Sequence, residues 1–209
     1  MLAGFTGRGV RIALIDSGVN PHHSHLTRVA PGHSLVSDDT LDHIGHGTAI
    51  AGVVHWWASQ AEIVPVKIFD HQLRCPTELA QQAVAWAVEQ AIPLIGLSLA
   101  GREEEGWSNC IPSSSLLVAS AANRFAGGFP AVLPGVLGVQ GVPAHTFRSL
   151  DGPIDLEAPG LPRSLPEDRP NFRGNSMAVG HALGLLARRL EQQPESTPAQ
   201  LLAWLRQSG

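Results

Sequence analysis

An α/β domain of three layers, with a mainly parallel central sheet flanked by helices, is what this sequence predicts, and two patterns carry the prediction. Short apolar runs alternate along the chain with segments whose apolar residues recur at helical spacing. Two of the runs, LIGLSLA at 94–100 and SLLVASAA at 115–122, are apolar nearly throughout, as suits strands buried on both faces of a parallel sheet. Size completes the picture. A chain of 209 residues that is 44% hydrophobic and 15% charged can bury one core. No repeat, coiled coil or linker divides it, so residues 1–209 read as a single domain.

In chain order, VRIALI at 10–15 is a β-branched apolar run that stops at Asp16-Ser17-Gly18, a buried strand followed by a tight turn. HGTAIAGVVHWW from His46 has helical spacing after the turn-formers Asp42 and Gly45, which puts His46 in the first turn of a helix. Glu62–Phe69 reads as a strand, with Pro65 pointing to an edge or irregular position because it lacks a ladder donor. Pro76-Thr77-Glu78 opens a helix to about Ala91. The Gly/Pro-rich region 127–143 and the stretch 145–173 read as surface or site loops. A helical pattern begins at Asn175, and Thr197-Pro198-Ala199-Gln200 is a capping box that opens a final helix.

Composition excludes several function classes. The formal charge of −4 forms no basic stripe, so no nucleic-acid partner is expected. No window approaches the roughly 20 apolar residues of a membrane span, and the first residues contain no apolar signal core. The expectation is a soluble, unexported, cytoplasmic chain with no membrane partner. Cys75 and Cys110 lie far apart outside any CxxC pattern; free thiols fit a reducing compartment, and a single disulfide is the alternative.

Three segments place a reactive side chain beside glycine at an element boundary: Asp16-Ser17-Gly18, Gly45-His46-Gly47-Thr48 and Gly174-Asn175-Ser176-Met177-Ala178. Singly, each reads as an ordinary turn or cap. Together, a strand-end carboxylate, a helix-start imidazole and a helix-start hydroxyl can meet at one edge of a parallel sheet, the crevice where α/β proteins bind ligands. Asp, His, Ser is moreover one of the recurrent orders of the hydrolytic triad.

On these motifs the chain resembles the subtilisin-type serine peptidases, or subtilases, from about Gly9 to Leu190. DSG, HGTA and GNSMA stand where that family has its acid, base and nucleophile motifs. Ser98-Leu99-Ala100-Gly101 resembles its substrate-pairing segment, and Asn123 in SAAN its oxyanion-hole asparagine. The resemblance implies a subtilisin-like fold and hydrolysis of a peptide or protein substrate without a cofactor. Ser176 would be the nucleophile, His46 the general base, Asp16 its orienting acid and Asn123 an oxyanion donor. Ser98–Gly101 on one side, and Ser120, Ala121 and Ala122 on the other, would pair with an extended substrate.

The departures are specific. Asn175 replaces the family's threonine, Gly180 its proline in the nucleophile helix, and Ala49 the second histidine. Gly180 is expected to weaken its helix by roughly 1 kcal/mol relative to alanine unless the missing side chain makes room for a neighbour. The short segment 53–61 leaves little space for the calcium loop of many relatives, so no metal is expected there. A compact core of this kind suits intracellular processing of a peptide or protein precursor. Two other classes compete with the peptidase reading. One is a catalytically silent subtilase that binds peptides. The other is a metal-dependent hydrolase using His22, His23, His25, His43 and His46, although loop histidines are more commonly solvated. Trp107 follows Glu103-Glu104-Glu105 in a loop that reads either as solvated or as bordering the groove, where it would disfavour acidic substrates.

Overall fold

The computed structural model describes residues 2–123, 126–163 and 173–208. The elements are β1 Arg11–Asp16, β2 His33–Ser34, α1 His46–Trp57, β3 Glu62–Lys67, α2 Thr77–Glu89, β4 Leu94–Leu97, β5 Leu116–Ser120, β6 Val136–Val142, β7 Arg148–Ser149, β8 Leu156–Pro159, α3 Asn175–Gln192 and α4 Pro198–Ser208. One sheet takes the strands in the order β2-β3-β1-β4-β5-β6-β8-β7. Every neighbouring pair is parallel except β7 with β8. After β1 the chain fills one side with β2 and β3, then returns across β1 to β4. The carboxyl end of β1 is therefore a topological switch point, where such sheets open a crevice.

The apolar runs divide their side chains between the two faces with a period of two. Ile12 and Leu14 of β1, Leu94 of β4, and Leu116 and Val118 of β5 join α1, α3 and α4 in one buried cluster. Ala13, Ile15, Ile95, Leu97, Leu117 and Ala119 join Ala80, Ala83, Val84 and Ala87 of α2 in the other. Those two clusters make the three layers. The start of α4 is closed as its capping box requires: Gln200 N–H donates to Thr197 Oγ1 at 3.3 Å, and Thr197 N–H to Gln200 Oε1 at 2.8 Å.

Two stretches read as loops contain strands. VLGVQGV at 136–142 is β6, lodged between β5 and β8, and β7 and β8 lie within 145–173; residues 164–172 of that stretch lie outside the described residues. Glycine density gave these segments the look of turns. Gly138 is instead forced by packing, since a Cβ there would sit 2.3 Å from the Ala131 carbonyl oxygen. Pro65 is interior, between β1 and β2, yet its position agrees with its chemistry. Ile63 exchanges backbone bonds with Arg28 and Ala30 on the outer side, so Pro65, two residues on, turns its missing donor the same way, toward the gap before β2.

Helix α3 lies against α1 and over the middle of the sheet. Its close approach to α1 rests on glycine. A Cβ on Gly180 would meet Ile50 O at 3.0 Å and Val53 Cβ at 3.1 Å, and one on Gly184 would meet Trp57 Cβ at 2.6 Å. Gly180 thus does make room for its neighbour. Gly184→Ala is expected to destabilise the fold by about 1–3 kcal/mol through overpacking, despite alanine's better helix propensity. Gly180→Ala is expected to cost less, because its contacts are looser. Chemical denaturation of the two variants checks the order.

Candidate active site

Asp16 is the last residue of β1 and fully buried. His46 is the first residue of α1 and only 7% exposed, and its Nδ1 lies 2.8 and 2.9 Å from the two Asp16 carboxylate oxygens. Gly47 permits the approach, because a Cβ there would fall 2.2 Å from Gly18 O and 3.3 Å from Asp16 Cβ. With Nδ1–H donated to Asp16, the neutral ring carries its basic lone pair on Nε2. Burial opposes protonation of His46, but the charge and hydrogen bond of Asp16, with the charge of Asp42, outweigh it and hold the pKa above the ordinary imidazole value.

Ser176 is half-buried in the first turn of α3, where backbone N–H groups lack intrahelical acceptors. The glycine contacts give the register between the two helices. Ile50 faces Gly180 and Trp57 faces Gly184, so α1 and α3 run parallel. One turn back from the first pair stand His46 and Ser176, which puts the imidazole and the hydroxyl on adjacent starting turns.

Asn175, the departure next to Ser176, is a clamp. Its carbonyl oxygen accepts Gly141 N–H at 2.8 Å and its amide donates to Ala121 O at 2.8 Å, tying the start of α3 to the ends of β5 and β6. A two-ended carboxamide is suited to both bonds. Asn123 is exposed, and its side-chain oxygen lies 3.5 Å from where Gly174 would carry a Cβ, two residues before Ser176.

The two segments expected to pair with substrate already make backbone bonds within the chain. Gly101 exchanges both backbone bonds with Phe129, at 2.9 and 3.0 Å, and the N–H groups of Ala121 and Ala122 donate to Val139 and Gly127. Ser120 is buried in β5, paired with Val139. The Gly101 backbone groups and the Ala121 and Ala122 N–H groups thus already have partners within the chain. Gly128 lets the two segments come together, since a Cβ there would lie 3.0 Å from Ala122 Cβ and 3.1 Å from Ala100 Cβ. Trp107 is no rim residue but fully buried in the second core cluster. Glu104 caps the turn at Gly106 and Ser108.

Three further histidines of the candidate metal set have other partners. His43 lies 3.7 Å from Asp39, and the rings of His23 and His25 meet edge to face. No group of three or more His, Cys, Asp or Glu side chains is arranged to hold a metal among the described residues. Within the same limits, no helix is long and apolar enough to cross a membrane. Cys75 and Cys110 are unbonded, and burial pushes the Cys75 thiol up to about 11.

Sequence reasoning did not find His181, buried in α3. Its Nδ1 accepts Trp57 Nε1–H at 2.7 Å and its Nε2–H donates to Leu161 O at 2.9 Å, an arrangement only the neutral ring can make. Burial lowers its pKa. Its stabilising contribution is therefore intact above about pH 6.5, where the unfolded imidazole is neutral, and is lost as pH falls through the lower folded value. Thermal melting is expected to fall on acidification below that point. His181→Gln, which can accept and donate without titrating, should flatten the fall.

The site thus sets a carboxylate–imidazole pair at the switch point of a parallel α/β sheet, with a serine in the first turn of the neighbouring helix. The chain belongs to the subtilase family, whose profile matches residues 7–209. It is 28% identical to the intracellular serine protease of Paenibacillus polymyxa, over 87% of this chain and 66% of that protein. It is also 28% identical to Subtilisin NAT of Bacillus subtilis subsp. natto, over 95% of this chain and 60% of that protein. The chain thus spans somewhat less than two thirds of the length of these two relatives. The crystal structure of a cold-adapted subtilisin-like serine proteinase superposes with a TM-score of 0.85 at 25% identity, covering 98% of this chain and 84% of that one.

Proposed function

We propose that this chain is a serine endopeptidase that works through an acyl-enzyme intermediate. Ser176 Oγ attacks the scissile carbonyl while His46 Nε2 takes its proton, and Asp16 holds the ring and stabilises the imidazolium. The imidazolium then protonates the leaving amine, and water repeats the sequence to release the acyl group. The observation that supports this reading is the Asp16–His46 pair, held at the start of the helix that packs beside the one Ser176 begins.

Asn123 and the Ser176 backbone N–H are proposed to receive the developing oxyanion. Asn123→Ala is expected to lower kcat on the order of 10²–10³-fold with little change in KM, the magnitude known from a subtilisin. Steady-state kinetics on one peptide substrate reads it. Ser98, Leu99 and Ala100 would take the substrate backbone, with Ser120, Ala121 and Ala122 lining the site. Ser98 Oγ is buried without a hydrogen-bond partner among the described residues, an unmet need that a bound peptide group can satisfy.

The reading extends to a cytoplasmic enzyme that processes a peptide or protein precursor, supported by the name of the Paenibacillus relative. Incubation of the purified chain with unfolded protein and peptide substrates, with and without chelator, tests the activity. Cleavage that is insensitive to chelator and absent from Ser176→Ala is expected. No cleavage by the folded wild type would leave a peptide-binding subtilase, and chelator-sensitive cleavage would point to metal.

A further inference from the structure

Asp42 draws together the turn that carries His46. Its Oδ1 accepts Ile44 N–H at 3.0 Å and Gly45 N–H at 2.6 Å, and its Oδ2 accepts Thr48 N–H at 2.8 Å and Thr48 Oγ1–H at 2.6 Å. Gly45, at the N-cap of α1, offers no side chain for this task. Asp42 thus caps the helix from three residues upstream. Asp42 also reaches the other half of the site. Ser17 Oγ lies 2.9 Å from Asp42 Oδ1 and 3.1 Å from Asp16 Oδ1, and it accepts Gly47 N–H at 3.0 Å. Through Ser17, the end of β1 and the start of α1 are joined on both sides of the Asp16–His46 contact.

We propose that Asp42 is a positioning residue of this site, which locks the His46 turn against Ser17 and Asp16 and whose charge favours the imidazolium formed when His46 takes a proton. The proposal rests on the reading of His46 as general base. Among the described residues, the charges that raise the pKa of the ring are Asp16 from β1 and Asp42 from the segment leading into α1. Geometry separates their roles. Asp16 touches the imidazole; Asp42 holds its turn through backbone and Ser17 bonds, and its charge reaches the ring through space.

The test is to titrate the His46 ring by ¹H–¹⁵N NMR in wild type and Asp42→Asn, beside the pH profile of kcat/KM. Asp42→Asn keeps the shape and removes the charge. The expected result is that His46 titrates at lower pH than in wild type, that the acid limb of the profile moves with it, and that KM is retained. Asp42→Ser, which keeps a capping oxygen, reads the same titration should Asp42→Asn not fold. A variant that melts earlier while His46 titrates as in wild type would overturn the proposal and reduce Asp42 to a helix cap. The NMR titration needs no turnover. A chain that cleaves nothing, but whose His46 titration moves in Asp42→Asn, would support the hold of Asp42 on the ring and sink the peptidase reading alone.

Discussion

Replacing Ser176 by alanine is expected to lower kcat on the order of 10⁶-fold, the magnitude measured on a subtilisin, while the fold and peptide affinity persist. The physical reason is that the hydroxyl and carboxamide groups flanking the pair are committed elsewhere. Asn175 has its carboxamide committed to Ala121 and Gly141, and Ser17 Oγ is bound between Asp42 and the Gly47 N–H. A residual rate above that of water, on the order of 10³–10⁴-fold, is expected from the oxyanion donors and binding alone. Since Ser176 is only half-buried and points from a helix start, the substitution should leave the melting temperature near that of wild type. Kinetics and thermal melting on the same preparation separate loss of chemistry from loss of structure.

Asp16→Asn is the second large effect, on the order of 10⁴-fold in kcat. Both Asp16 oxygens lie within 2.9 Å of His46 Nδ1, which fixes Nδ1–H as donor and Nε2 as base. An asparagine can present its amide N–H to Nδ1 and so stabilise the tautomer with its proton on Nε2, which cannot take the serine proton. The same substitution shifts the pH dependence. In wild type the His46 pKa is raised, so the neutral base accumulates only above the ordinary imidazole range, and the acid limb of kcat/KM is expected above about pH 6.5. Without the Asp16 charge, desolvation of His46 gains ground and the limb moves to lower pH. For stability the sign is opposite to that of His181: a raised imidazole pKa contributes stability that is present below about pH 6.5 and lost as pH rises through the folded value.

Much of this site was legible in the sequence because its parts sit at element ends marked by glycine. The run from His46 to Trp57 is a helix with those bounds, and Asp16 closes β1, one residue beyond the apolar run. Strand β6 was not legible, since its glycines imitate a loop unless Ala131 and the ladder to β5 and β8 are known. Strand β2 is too short for any period to register. Asp42 read as a turn residue, since its bonds to Thr48 and Ser17 depend on a folded turn that no local pattern encodes. Asn175 read as a departure from the family pattern, and its purpose emerged only when the ends of β5 and β6 stood beside it. The pairing role of Ser120–Ala122 came from the family resemblance, and the bonds of the Ala121 and Ala122 N–H groups to Val139 and Gly127 depend on a fold that no local pattern encodes.

That Asp16, His46 and Ser176 form one working site is tested most directly by reaction with a fluorophosphonate, followed by mass mapping of the adduct. A single adduct on Ser176 is predicted, absent from Ser176→Ala and much slower to form in Asp16→Asn and His46→Ala. A well-folded wild type that forms no adduct, or an adduct that persists in Ser176→Ala, would contradict the account.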